Sequence, residues 1–128
     1  MLALVLDDPH TATATELLDR WVEDDAELHA PLLAQYEVAS SLARKRGRRE
    51  LSREETDEAL AIIGGLPVTY DVAPDNARAV EIAVDLQRHS AYDAAYLALA
   101  ERIDGEVWTL DGPLARNAAG RYRVTLID

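Results

Sequence analysis

Ser90-Ala91-Tyr92-Asp93-Ala94-Ala95-Tyr96-Leu97-Ala98-Leu99-Ala100 is the stretch whose reading decides the fold. After Asp93 the run carries no charge and is rich in alanine and leucine, so it forms a helix that is apolar nearly all round. Such a helix belongs in the interior, and it draws the acid at its start inward. Ser90 stands three residues before Asp93, the spacing of a capping box, so the acid also has an ordinary reading as a helix-start residue.

Working outward, residues 106–110 and 123–127 are rich in β-formers and read as strands. Upstream, Pro74 opens a helix carrying Ala77, Val80, Ile82, Ala83 and Leu86, and residues 67–70 read as a strand. Ser52 and Glu55 form a capping box for a helix with Ala59, Leu60, Ile62 and Ile63, ending at Gly64 and Gly65. Pro31 opens a helix through Leu33, Tyr36, Val38 and Leu42 that ends at Gly47, after a short strand at 28–30. Residues 10–24 make the first helix, striped by Ala14, Leu17, Leu18, Trp21 and Val22. Strands separated by helical stretches predict βαβ units, hence an α/β fold with a parallel sheet covered by helices on both faces. At 128 residues the chain fits one domain, 1–128.

Composition narrows the class. With 48% hydrophobic and 29% charged residues the chain matches a soluble globular protein. It has no cysteine, so neither disulfides nor thiolate metal sites are open to it, and the cytoplasm is the expected location. The apolar run at 1–6 is far shorter than the roughly 20 residues of a membrane span, and no positive charge precedes it. A net charge of −11 argues against a protein that coats nucleic acid by bulk electrostatics. Six of the thirteen basic residues nevertheless fall within ten positions: Arg44, Lys45, Arg46, Arg48, Arg49 and Arg53. That cluster can meet phosphates locally, or it can simply complement the end of a helix dipole.

Three acids stand where ligands bind in such folds, beyond the carboxyl ends of strands or on an apolar helix. Asp111 follows Val107-Trp108-Thr109-Leu110 directly and precedes Gly112-Pro113, a strand-to-helix switch at which it is also a plain N-cap. Asp93 heads the apolar helix. Glu37 lies within the apolar stretch 32–42 beside Ala34 and Ser41, where a buried carboxylate would need a partner or a metal and a solvated one would not. Carboxylates converging from distant segments suit Mg²⁺ or Mn²⁺. His10, His29 and His89 share no ligand spacing and read as structural or solvent-facing.

Tyr36-Glu37-Val38-Ala39-Ser40-Ser41-Leu42, then the stretch from Ser90 to Ala100, then Thr109-Leu110-Asp111-Gly112-Pro113-Leu114-Ala115 resemble, in order, the successive motifs of the PIN-domain family. Leu28-His29-Ala30-Pro31 is similar to its VapC toxin branch. The resemblance covers nearly the whole chain. It implies a three-layer α/β/α fold with a central parallel sheet, and four acids binding Mg²⁺ or Mn²⁺ to hydrolyse RNA phosphodiesters. Glu37, Asp93 and Asp111 match three of those acids, as catalytic and metal-binding residues. Thr109 matches an assisting hydroxyl, and Arg44 and Arg46 are the expected contacts to RNA. A homodimer and a cognate antitoxin are further implications of the resemblance.

The family's first acid, in an apolar-apolar-Asp-x-Ser motif ending the first strand, has no counterpart here, so that strand is missing or altered. One reading takes residues 1–6 as the helix after that strand, with Asp7-Asp8-Pro9 as the turn and the strand upstream of Met1. Alternatively, residues 2–6 are the strand itself and Asp7 or Asp8 replaces the acid, but then the following helix is lost. The same departure keeps open a degenerate PIN domain that binds protein or RNA without cutting. A phosphatase of another α/β family would present an Asp nucleophile after its first strand, which the order of motifs disfavours.

Overall fold

Helices and strands alternate along the described residues, 11–127, of the computed structural model: α1 (Thr11–Glu23), β1 (Leu28–Pro31), α2 (Leu33–Gly47), α3 (Arg53–Gly64), β2 (Val68–Asp71), α4 (Asn76–Asp85), α5 (Tyr92–Arg102), β3 (Val107–Thr109), α6 (Gly112–Ala118) and β4 (Val124–Leu126). The order is that of an α/β protein, as expected. Both readings of residues 1–6, and the positions of Asp7, Asp8 and His10, lie outside the described residues. The chain divides between Thr69 and Tyr70 into two units with separate apolar clusters.

In the first unit, Val38 and Leu42 of α2 pack with Ala59 and Ile63 of α3, and Leu51 covers the cluster from the connection. Spacing of four residues puts each pair on one helix face. The capping box that starts α3 forms in full: Ser52 Oγ accepts from the Glu55 N–H and Glu55 Oε1 accepts from the Ser52 N–H, both at 3.1 Å. Strands β1 and β2 pair. Pro31 does not open α2 but closes β1, and the helix starts two residues later. A proline at a strand end sacrifices no needed N–H, which makes this placement as economical as the one expected.

In the second unit, Ala79, Ile82, Ala83 and Leu86 face Ala94, Leu97 and Ala98 of α5, with Val107, Tyr122 and Val124 packed against them. The alanines let the helices approach closely, and the leucines and Ile82 fill the space between. Strands β3 and β4 are parallel, with Val107 opposite Val124 and Thr109 opposite Leu126. Parallel neighbours need a crossover, and α6 supplies it. Pro74 precedes α4 without belonging to it: Asp75 is the cap, its Oδ1 accepting from the Arg78 N–H at 3.0 Å.

Four helices end in the same way, and none uses glycine for it. Asp25, Arg49, Gln87 and Asp104 follow α1, α2, α4 and α5 with φ between 53° and 61°. The next residue's N–H returns to a carbonyl five positions back: Ala26 to Trp21, Glu50 to Lys45, Arg88 to Ala83, and Gly105 to Ala100. These are Schellman closures, which satisfy carbonyls that a helix end leaves open. Gly47, expected as the stop of α2, is its last helical residue, and the left-handed turn falls on Arg49.

An ionic network ties α4 to α5. Arg78 grips Glu101 through Nε and Nη2, each at 2.8 Å, and reaches Glu81 at 3.1 Å. Asp85 accepts from the Tyr122 hydroxyl at 2.8 Å and pairs with Arg121 at 3.1 Å. The Arg78 hydrogen bond holds the Glu101 carboxyl below its ordinary value. Burial, then the hydrogen bond to Asp85, pushes the Tyr122 phenol up. A depressed carboxylate adds stability above its unfolded pKa, about 4.5, that is lost as pH falls through the lower folded value. Urea unfolding of the wild type and Glu101→Gln should therefore differ at pH 7 and converge as the pH drops below about 4.5. The difference is modest because the pair is partly solvated.

Candidate functional site

Asp111 ends the stretch after β3, and its surroundings explain its position. Thr109 Oγ1 accepts from the Asp111 N–H at 3.0 Å, and Asp111 Oδ1 accepts from the Leu114 N–H at 3.0 Å. The acid is thus the N-cap of α6, as one reading of the sequence had it, yet it stays exposed, and Oδ2 has no partner among the described residues. Capping takes one oxygen and leaves the other for chemistry. A Cβ at Gly112 would meet the Arg116 guanidinium at 3.0 Å, the far end of a flexible side chain that lies over this turn.

Asp93 sits in the first turn of α5, where the helix dipole favours an acid. The capping box with Ser90 does not form. Ala91 occupies the cap position without a side-chain bond, and the Asp93 carboxylate turns instead to Arg88, with Nη1–Oδ2 at 3.5 Å. The Asp93 side chain is 37% exposed, so α5 carries it only half inward. The rest of the helix is buried as expected, at Ala94, Leu97, Ala98, Leu99 and Ala100.

Helix α5 packs on β3 and joins it through the short turn 103–106, and α6 packs on the same strand. Short connections make packed elements antiparallel neighbours, so the head of α5 and the exit of β3 fall on one side of the unit. Asp93 and Asp111 occupy those two positions.

Glu37 belongs to the first unit, in α2, and is exposed there; the buried carboxylate considered from the sequence is not what the fold makes of it. Val38 beside it is buried, and Glu37 is turned out by one helical step. Arg44 and Arg46 lie in the last turn of α2, where cations complement the dipole. Arg44 donates to Ser41 Oγ at 3.0 Å, and Arg46 borders a cleft of about 510 Å³ floored by Leu42 and Thr56. Within neither unit do three Asp, Glu or His side chains gather closely enough to hold a metal, among the described residues.

Arg88 and Arg116 are site neighbours that sequence reading passed over. Each is a single charge in an ordinary surrounding, and only the folded chain brings it to an acid or its turn. The Arg88 Nε is buried with no acceptor among the described residues, an omission that costs about 1–3 kcal/mol.

With this geometry in view, the comparisons with known proteins converge. The model of the PIN domain family matches residues 1–120, and the chain belongs to that family. Relatives within the family include VapC proteins. It is 40% identical over 107 residues to "Ribonuclease VapC3" of Pyrobaculum aerophilum, covering 79% of each chain. It is 36% identical over 101 residues to "Ribonuclease VapC9" of Mycobacterium tuberculosis, covering 78% of this chain and 77% of the relative.

Proposed function

We propose that this chain is a metal-dependent endoribonuclease of the VapC toxin kind, in which Glu37, Asp93 and Asp111 hold Mg²⁺ or Mn²⁺ and cut RNA phosphodiesters. The observation that carries the reading is Asp111: an exposed acid after a strand end, its carboxylate fixed through Oδ1 and its backbone N–H held by the Thr109 hydroxyl. The donor set fits a hard divalent cation, since all three groups are carboxylates and Asp93 and Asp111 are both accessible. A bound cation would supply Lewis-acid polarisation of the phosphate and a water of lowered pKa.

The residues of the chain do the rest. Asp111 is held in one rotamer by its cap bond, so its free oxygen is aimed without further ordering. Thr109 fixes the backbone just before it. Arg44 and Arg46 meet RNA phosphates through their guanidinium groups in an otherwise acidic protein, which limits contact to one locality. Residues 1–128 act as one PIN domain, working in the cytoplasm as a homodimer and restrained by a cognate antitoxin. Among the described residues, no helix is long and apolar enough to cross a membrane. The second reading, a PIN domain that binds RNA or protein without cutting, draws on the absent Asp-x-Ser motif.

The test is cleavage of single-stranded RNA by the purified chain. Cleavage should require Mn²⁺, stop in excess EDTA and resume when Mn²⁺ is restored. Asp93→Asn should lower the rate by roughly 10³-fold, the scale of several kcal/mol of transition-state stabilisation. Cleavage that persists in EDTA, or that Asp93→Asn leaves unchanged, refutes the reading; RNA binding without cleavage favours the second.

A further inference from the structure

Two arginines of the second unit serve carboxylates in very different ways. Arg78 is fully engaged, with Nε and Nη2 both on Glu101 and Nη1 on Glu81. Arg88 makes a loose ion pair, Nη1 to Asp93 Oδ2 at 3.5 Å, and its buried Nε has no acceptor among the described residues. A guanidinium offers five donors in a planar fork that matches the paired oxygens of a carboxylate or a phosphate. An arginine kept only to brace the fold would be used as Arg78 is.

The backbone holds Arg88 at this spot at some cost. Gln87 takes the left-handed conformation, φ 56°, that closes α4, and the Arg88 N–H completes the closure on Ala83 at 2.9 Å. The position after a left-handed closure is commonly filled by an apolar residue packed back on its helix. Here a cation stands there instead, with its side chain a quarter exposed and directed to the head of α5.

From this contrast we infer that Arg88 is an exchangeable counter-ion: it neutralises Asp93 while the site is empty and passes to an RNA phosphate once Asp93 is taken by a divalent cation. The inference rests on the proposed metal-dependent nuclease and adds to it a residue that contacts the substrate. The exchange keeps charge in balance at both stages. Without it, Asp93 would lie uncompensated in the empty site, and the phosphate would meet one cationic contact fewer. Arg88 is thereby a competitor of the metal and an ally of the RNA, so its removal must move the two affinities in opposite directions.

Arg88→Met keeps the length of the stem and removes the charge. Calorimetry with Mn²⁺ should show binding about tenfold tighter than wild type, while the KM for single-stranded RNA in saturating Mn²⁺ rises about tenfold or more and kcat changes less. Arg88→Lys, which keeps a charge without the fork, should fall between the two on both readouts. The thermal midpoint of Arg88→Met should match or exceed wild type, since no satisfied hydrogen bond is lost. Mn²⁺ affinity that is unchanged or weaker in Arg88→Met overturns the inference, and parallel weakening of metal, RNA and fold assigns Arg88 a bracing role instead. If wild type binds Mn²⁺ and cleaves but both Arg88 variants behave identically to it, this inference alone fails. If wild type binds no Mn²⁺, the metal-site reading falls and takes the exchange with it.

Discussion

Asp111→Asn should nearly abolish Mn²⁺-dependent RNA cleavage while leaving the fold almost untouched. The two readings of this residue separate cleanly in that substitution. Asparagine keeps an oxygen where Oδ1 now accepts from the Leu114 N–H, and it is as good an N-cap as aspartate. The stability lost is then the charge–dipole share alone, about 0.3–1 kcal/mol. A neutral amide oxygen, however, is a poor substitute for a carboxylate facing a small hard cation. The rate should fall by roughly 10²–10³-fold, on the scale of a metal interaction worth several kcal/mol. Asp111→Ala should show the same loss of rate and an added loss of stability of about 1 kcal/mol from the missing cap. Thermal unfolding and initial cleavage rates on the same samples check both. Retained activity in Asp111→Asn would make the acid a cap and nothing more.

Ile82→Ala should be the most damaging single truncation in the second unit. Ile82 is 0% exposed and packs within a cluster whose other buried members are Ala79, Ala83, Leu86, Ala94, Leu97 and Ala98. Four of those six are alanines, already as short as a side chain with a Cβ can be, so they have nothing to extend into the space that the truncation opens. A cavity that cannot collapse puts the cost at about 2–5 kcal/mol. Total stability for a chain of this size is on the order of 5–15 kcal/mol, so the loss takes a large share. The thermal midpoint should drop by roughly 8–20 °C, read by circular dichroism. A drop of under about 3 °C would mean that this cluster is not a close-packed core.

The elements that local chemistry specifies were legible in the sequence. The capping box at Ser52 and Glu55, the buried body of α5 and the cap at Asp111 all depend on neighbours a few residues away. Faces were harder. Leu60, Ile62, Val80 and Tyr36 read as apolar positions of their helices, yet they are 46%, 47%, 57% and 70% exposed. Apolarity alone does not choose a face; Ala59 and Ile63 share one by spacing, and Leu60 and Ile62 flank it. The left-handed closures at Asp25, Arg49, Gln87 and Asp104 were invisible because no glycine marks them.

The site divides along the same line. The positions of Asp111 and Asp93 could be read because each stands at a fixed offset from a strand end or a helix start. The capping box of Ser90 with Asp93 does not form because α5 starts at Tyr92, which puts Ala91 and not Ser90 at the cap, and the carboxylate pairs with Arg88 instead. No spacing rule announces such a pairing, since it depends on where the closure of α4 delivers the chain. Glu37 falls on α2 as expected, and of its two readings the fold takes the exposed one.

The central proposal is that Glu37, Asp93 and Asp111 are each needed for divalent-cation binding. Mn²⁺ calorimetry on the wild type, Glu37→Gln, Asp93→Asn and Asp111→Asn tests it most directly. Saturable binding by the wild type, weakened at least tenfold in each of the three variants, is the predicted result. Wild-type affinity in all three variants, or no binding by the wild type, would contradict it.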